Sequence, residues 1–235
     1  MQEQHYKWKS PHLGREFEML VFGEEGYPLI LFPTSMGRHY EHKERGLIHA
    51  LQWFIDQQLI RVYCPDSIDA RSWYNTQVSP AQRTLNHISY DNMLRHEVLE
   101  RVMHETGVRR VAVAGCSFGG YHAANFAFRY PGLVSYLFSL SGIFDITGRL
   151  DGHYDDNVYF HNPMDYMRDN PHEALWRMGI ILGVADEDIS REQNERMSGI
   201  LAHKGISHWL DIRPNQKHDW PVWNEMLPYY ISLIK

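Results

Sequence analysis

The sequence has little of what several classes of protein need. Only two of its 235 residues are cysteine, Cys64 and Cys116. Two thiols cannot build a disulfide framework, so a reducing, cytoplasmic setting is expected. The longest apolar stretches, such as Leu29–Phe32, have strand length and fall far short of the ~20 residues of a spanning helix. The N-terminal MQEQHYKWKSPHLGREFEML lacks the apolar centre of a secretion signal, and the C-terminal YYISLIK lacks a lipidation motif, so no membrane association is expected. Basic charge is scarce too: 23 Lys and Arg against 29 Asp and Glu leave a net −6. Such a surface repels phosphate backbones, and no basic run exceeds Arg109-Arg110, so no nucleic-acid partner is expected. There is no repeat, low-complexity tract or Pro/Gly/Ser linker, which predicts one domain over residues 1–235. The composition itself is ordinary for a globular chain, with 43% apolar and 22% charged residues. Histidine is the one excess: there are fifteen, which suit metal binding, proton transfer or neither.

The hydropathy pattern alternates between strand and helix. Two extended segments, His5–Lys9 and Arg15–Phe22, are separated by Pro11 and Gly14; the second alternates roughly with period two. Pro28–Pro33 (PLILFP) is a continuous apolar run, as in a strand buried on both faces. Glu44–Gln58 then reads as a helix with Leu47, Leu51, Phe54 and Ile55 on one side, Ile60–Cys64 as a strand, and Tyr90–Thr106 as a helix stopped by Gly107. Further on come a strand at Val111–Ala114, a helix at Phe118–Tyr130 and a strand at Ser135–Leu140. The irregular stretch Gly142–Asn170 precedes a strand at Trp176–Val184, a helix at Arg191–Lys204, a strand at Trp209–Arg213 and a closing helix at Val222–Ile234. This order predicts an α/β fold: a mostly parallel central sheet, helices on both faces and an antiparallel N-terminal edge. The functional site of such a sheet lies beyond the carboxyl ends of its strands.

One motif there carries chemistry. Gly115-Cys116-Ser117-Phe118-Gly119 is G-x-S-x-G, and it follows the apolar RVAVA strand and opens the small-residue helix FGGYHAANFAFRYP. In that context it is a nucleophile elbow. The turn lifts Ser117 Oγ above the sheet and puts the Phe118 N–H at a helix N-terminus, where it can hold an oxyanion. A nucleophilic serine needs a base, and the base an orienting carboxylate, in the chain order Ser, Asp or Glu, His. That order selects His218, in the loop Asn215–Pro221 between the last strand and the last helix. For the carboxylate, the GIILGV strand is read as ending at Val184, so Asp186 is the first acid past a strand end and the expected partner. Asp188 and Asp145 are the alternatives. The second oxyanion donor is expected from Pro33-Thr34-Ser35-Met36-Gly37, with Ser35 N–H first and Met36 N–H second. His122 lies one turn into the helix after Ser117 and is read as packing.

The pattern resembles the putative-esterase family of α/β-hydrolases, which includes S-formylglutathione hydrolases, feruloyl esterases and mycolyltransferases. The residues that carry the likeness are GCSFGGYHAANFAFRYP, Ser139–Gly142 (SLSG), the G-x-x-D turn Gly183–Asp186, and His218-Asp219-Trp220 with Trp223 and Leu227. Ser72-Trp73-Tyr74 looks like the aromatic loop at the family's pocket. The resemblance spans about residues 10–235 and implies an α/β-hydrolase fold, with Ser117 as nucleophile, Asp186 as acid and His218 as base. Met36, Trp73, Tyr74 and Trp220 are then the expected substrate-binding residues. PTSMG departs from the family's usual H-G dipeptide.

The expected activity is hydrolysis of a small-molecule carboxylic ester through an acyl-enzyme, with no cofactor and no metal. Acyl transfer, thioester hydrolysis and non-catalytic binding are the alternatives that share the fold. His39-x-x-His42 invites a metal reading, but there is no H-E-x-x-H motif. Residues 142–170 are expected to cover the pocket, with Tyr154, Tyr159, Phe160 and Tyr166 as candidate lining.

Overall fold

The architecture was obtained as a computed structural model, which describes residues 1–169 and 172–234. Eight strands form one sheet: β1 (Glu3–Ser10), β2 (Arg15–Phe22), β3 (Tyr27–Phe32), β4 (Ile60–Pro65), β5 (Val111–Cys116), β6 (Val134–Leu140), β7 (Gly179–Glu187) and β8 (Trp209–Lys217). Their spatial order is β1-β2-β4-β3-β5-β6-β7-β8. The β1–β2 and β2–β4 pairs are antiparallel and the rest parallel, as the sequence pattern predicts. The helices are α1 (Glu41–Glu44), α2 (Leu47–Ala50), α3 (Gln52–Asp56), α4 (Pro80–Met93), α5 (Leu99–Thr106), α6 (Phe118–Arg129), α7 (Asp156–Tyr159), α8 (Pro163–Tyr166), α9 (Arg191–His203) and α10 (Trp220–Ile231).

The apolar runs sit where two-sided burial requires them. In β3, Ile30 and Phe32 face one core, with Val113, Ala123 and Phe126; Leu29 and Leu31 face the other, with Leu51, Val62 and Leu227. The alanines of α6 let that helix lie close against the sheet. Each core removes whole side chains from water, at about 1.5–3 kcal/mol for each large one.

Four local predictions are revised. The single helix expected over Glu44–Gln58 is broken into short pieces: Gly46 at φ 84° separates α1 from α2, and Leu51 separates α2 from α3. The helix expected to begin at Tyr90 begins at Pro80. Ser79 caps it by accepting the Gln82 N–H, and a π-helical turn at Leu94–Val98 joins α4 to α5. The strand expected over Trp176–Val184 starts later and runs on to Glu187, after a 3₁₀ turn at Glu173–Arg177. β8 likewise runs past Arg213 to Lys217. These last two extensions decide which carboxylate meets the histidine.

The irregular stretch is partly packed. Ile146, Leu150 and Val158 are buried with Trp73, Phe118 and Tyr121, over the start of α6. Asn170, the last residue of the expected cover, lies outside the described residues. Among the described residues, no helix is long and apolar enough to cross a membrane.

Candidate active site

β5 runs straight into α6 through Ser117, which is held at φ 56° and ψ −121°. A non-glycine residue tolerates that region only when its surroundings enforce it. Enforcement comes from close backbone contact. A Cβ on Gly119 would stand 2.4 Å from the Phe32 carbonyl oxygen and 2.6 Å from that of Pro33; one on Gly115 would stand 2.2 Å from the Gly119 carbonyl oxygen. The elbow glycines therefore let α6 begin directly against the end of β3. Cys116 is buried, and burial pushes its thiol well above the usual range, whereas Ser117, the candidate nucleophile, is only half-buried.

Ser117 Oγ lies 2.9 Å from His218 Nε2, and His218 Nδ1 lies 2.8 Å from Asp188 Oδ1. The Asp188 side chain is fully buried. Burial works against its charge, but four donors outweigh that: His218, Ser141 Oγ at 2.5 Å, and the Ser190 N–H and hydroxyl at 2.8 Å each. Together they lower its pKa to about 2. Asp188 is thus a carboxylate that only accepts, which puts the imidazole proton on Nδ1 and leaves Nε2 free to accept from Ser117. Trp223 braces the arrangement: its indole N–H donates to Ser141 Oγ at 2.9 Å, and its ring meets the His218 ring edge-on at 5.0 Å.

The expected contact from Asp186 to His218 is not made. Because β7 continues to Glu187, Asp186 is inside the strand and the first acid beyond it is Asp188. Asp186 instead accepts the Asn215 and Gln216 N–H groups at 2.9 and 3.1 Å. It thereby fixes the irregular end of β8, where Asn215 adopts φ 57° just before His218. Backbone donors hold its carboxyl below the usual range. Asp145 accepts from its neighbour Thr147.

The PTSMG segment forms a turn closed by Gly37 N–H to Thr34 O, with Met36 at φ 59°. Glu41 grips its first residue, accepting from Thr34 N–H and hydroxyl. Met36 N–H is taken by the buried Asp69 carboxylate at 3.1 Å, so it is not available to a substrate. Among the described residues, neither the Ser35 nor the Phe118 N–H has an acceptor. Asp69 was not singled out in the sequence. Its other oxygen meets His122 Nε2 at 2.9 Å, so the histidine read as packing ties α6 to the turn.

The aromatic residues divide. Tyr74 donates to Ser35 Oγ at 2.7 Å and meets Phe118 edge-on, and Arg149 stacks 4.0 Å above it. Arg149 gave no signal in the sequence, because its position over Tyr74 depends on the packing of the stretch after β6. Met36, in the same turn as Ser35, is 49% exposed. Trp220 is half-buried against His42 and Trp223. Trp73 is only 1% exposed and packs on His87 and Tyr121, so it supports the site and does not line it. Tyr159, Phe160 and Tyr166 line a separate wide groove with Arg129 and His161, which includes neither Ser117 nor His218. Tyr154 is exposed and donates to Asp165. His42 turns away from His39 and bonds the Phe32 carbonyl, so His39-x-x-His42 does not converge.

A family model described as Putative esterase matches residues 60–229. The chain belongs to the putative esterase family. Esterase chemistry is accordingly its class: it is a carboxylic ester hydrolase. No match was found among the curated proteins. Among solved structures, a ferulic acid esterase superposes with a TM-score of 0.79 at 16% identity, covering 99% of each chain. The S-formylglutathione hydrolase FrmB of Staphylococcus aureus gives 0.71 at 15% identity, covering 98% of this chain and 95% of that one. FphF, a fluorophosphonate-binding serine hydrolase of the same organism, gives 0.75 at 15% identity, covering 98% and 97%. At these identities the likeness is one of fold, the α/β-hydrolase fold that the family resemblance implies.

Proposed function

We propose that this esterase works through a Ser117–His218–Asp188 triad and an acyl-enzyme on Ser117. The observation that carries the reading is the continuous hydrogen-bonded chain from Ser117 Oγ through both imidazole nitrogens to a buried, ionised carboxylate. His218 Nε2 takes the hydroxyl proton as Oγ attacks the ester carbonyl carbon. The carbonyl oxygen becomes an oxyanion held by the Phe118 and Ser35 N–H groups, each such donor being worth ~2.7–4 kcal/mol of barrier. His218 then gives the proton to the leaving alcohol. A water molecule repeats the sequence on the acyl-enzyme, which returns the proton to Ser117 and releases the acid. Asp188 holds the productive tautomer and balances the imidazolium charge.

In this reading Tyr74, Met36 and Trp220 border the substrate, with Arg149 above Tyr74. Residues 142–169 act as a short cover, which favours a small or polar ester over a long-chain lipid. Two free cysteines suit a reducing compartment, and the cytoplasm is the proposed location. The direct test uses a fluorophosphonate probe and p-nitrophenyl acetate. The wild-type chain should take one probe per chain on Ser117 and turn over the ester. Ser117→Ala should do neither while keeping its circular dichroism spectrum. Turnover retained in Ser117→Ala overturns the proposal.

A further inference from the structure

His5, Glu18 and His39 come from three separate segments: the edge strand β1, its partner β2, and the loop after the PTSMG turn. His5 Nε2 and His39 Nε2 approach the same Glu18 oxygen, at 2.9 and 3.6 Å. The two imidazoles are stacked, with centroids 5.4 Å apart and planes within 8°. All three ligand atoms lie within 4.8 Å of one another. Two imidazoles and a carboxylate are the donor set of borderline divalent ions such as Zn²⁺. Around such an ion, ligands at 2.0–2.1 Å stand roughly 3.4 Å apart. The exposed His5 is the side chain free to swing and close that gap.

The surroundings suit a ligand cluster better than a chance contact. The His39 side chain is only 8% exposed, and its backbone N–H is held by Asp66 Oδ1 at 3.2 Å. Among the described residues its Nδ1 has no hydrogen-bond partner, and it faces Asp66 Oδ2 at 3.7 Å. A carboxylate behind the second nitrogen is the arrangement that orients a metal-bound histidine and raises its basicity. Neither nearby cation, Lys7 or Arg38, occupies the Glu18 oxygen that the two histidines approach. Lys7 sits 2.9 Å from Glu16 and reaches only the other Glu18 oxygen, at 3.6 Å, and Arg38 is paired with Asp66.

We propose that His5, Glu18 and His39 form a binding site for a zinc-class divalent ion, with water completing its shell and Asp66 orienting His39. Filled, the site clamps the β1–β2 edge to the loop that carries Ser35. It lies outside the Ser117 machinery and does not depend on the triad reading.

The test is calorimetric titration of the untagged, chelator-stripped full chain with Zn²⁺. One ion per chain is expected, with Tm rising by about 5–10 °C at Zn²⁺ a hundredfold above Kd. Glu18→Gln, His5→Ala and His39→Ala should each weaken binding at least tenfold, and His49→Ala, an exposed histidine elsewhere, should not. Should His39→Ala fail to fold, His5→Ala on the solvent face of the edge strand still decides the matter. Absence of one-to-one binding overturns the proposal, as does binding that survives both His5→Ala and Glu18→Gln.

Discussion

Replacing each of two neighbouring aspartates by asparagine gives opposite expectations. In Asp188→Asn the side chain keeps its shape but gains two N–H donors. It can no longer be a pure acceptor between His218 Nδ1 and Ser141 Oγ, which both donate to it. The imidazole is driven towards the other tautomer, with its proton on Nε2, where it cannot accept from Ser117. In a triad that change lowers kcat by about 10⁴, or about 5 kcal/mol of barrier. Asp186→Asn leaves the proposed triad untouched. Its amide oxygen still accepts from Asn215 or Gln216, so the loop before His218 is loosened but not freed. A loss of no more than about tenfold is expected, since only the positioning of His218 suffers. The assay is kcat on p-nitrophenyl acetate for both variants, with circular dichroism confirming the fold. The reasoning is refuted if Asp186→Asn loses as much as Asp188→Asn, or if Asp188→Asn keeps a tenth of wild-type kcat.

Two more predictions follow from burial and from close backbone contact. Burial keeps His42 and His161 neutral, with pKa values of about 4 and about 3. The unfolded chain protonates both near 6.5, so below that pH it binds more protons than the folded chain and stability falls as pH falls. His42 alone should remove about 2 kcal/mol between pH 6.5 and 5, before the carboxylates titrate, and an unchanged urea midpoint at pH 7.5 and 5.0 would count against it. Gly119→Ala drives a methyl group into the Phe32 and Pro33 carbonyls and pushes the Ser35 turn off the elbow. It should destabilise by about 1–3 kcal/mol and cut kcat at least tenfold, whereas Gly148→Ala, with no atom within 4 Å of its added Cβ, should change neither; equal effects would remove the argument.

Much of the site is written locally. A strand of buried residues, a serine between small residues and a helix able to pack closely together define the elbow, because that turn is built from one short segment. Chain order and loop position single out His218 among fifteen histidines, since few loops reach the carboxyl edge of the sheet. The two-sided apolar pattern of β3 and β5 likewise reads directly as a buried parallel sheet.

Tertiary structure decided what depends on register and on distant partners. Side chains alternate across a strand, and how far β7 runs depends on pairing with β8, which lies some twenty residues away in sequence. That pairing carries β7 past Val184 to Glu187, so Asp186 holds backbone and Asp188 holds the histidine. Nothing within GIILGVADED reports it. The same holds for Asp69 on Met36 N–H and His122, and for His39 beside His5 and Glu18. The sequence by itself determined the fold and brought Ser117 and His218 forward as the candidate nucleophile and base, because those follow from local pattern and chain order. Only the folded sheet decided which acid, which turn amide and which histidines come together, because those contacts form between segments whose spacing along the chain says nothing of their distance in space.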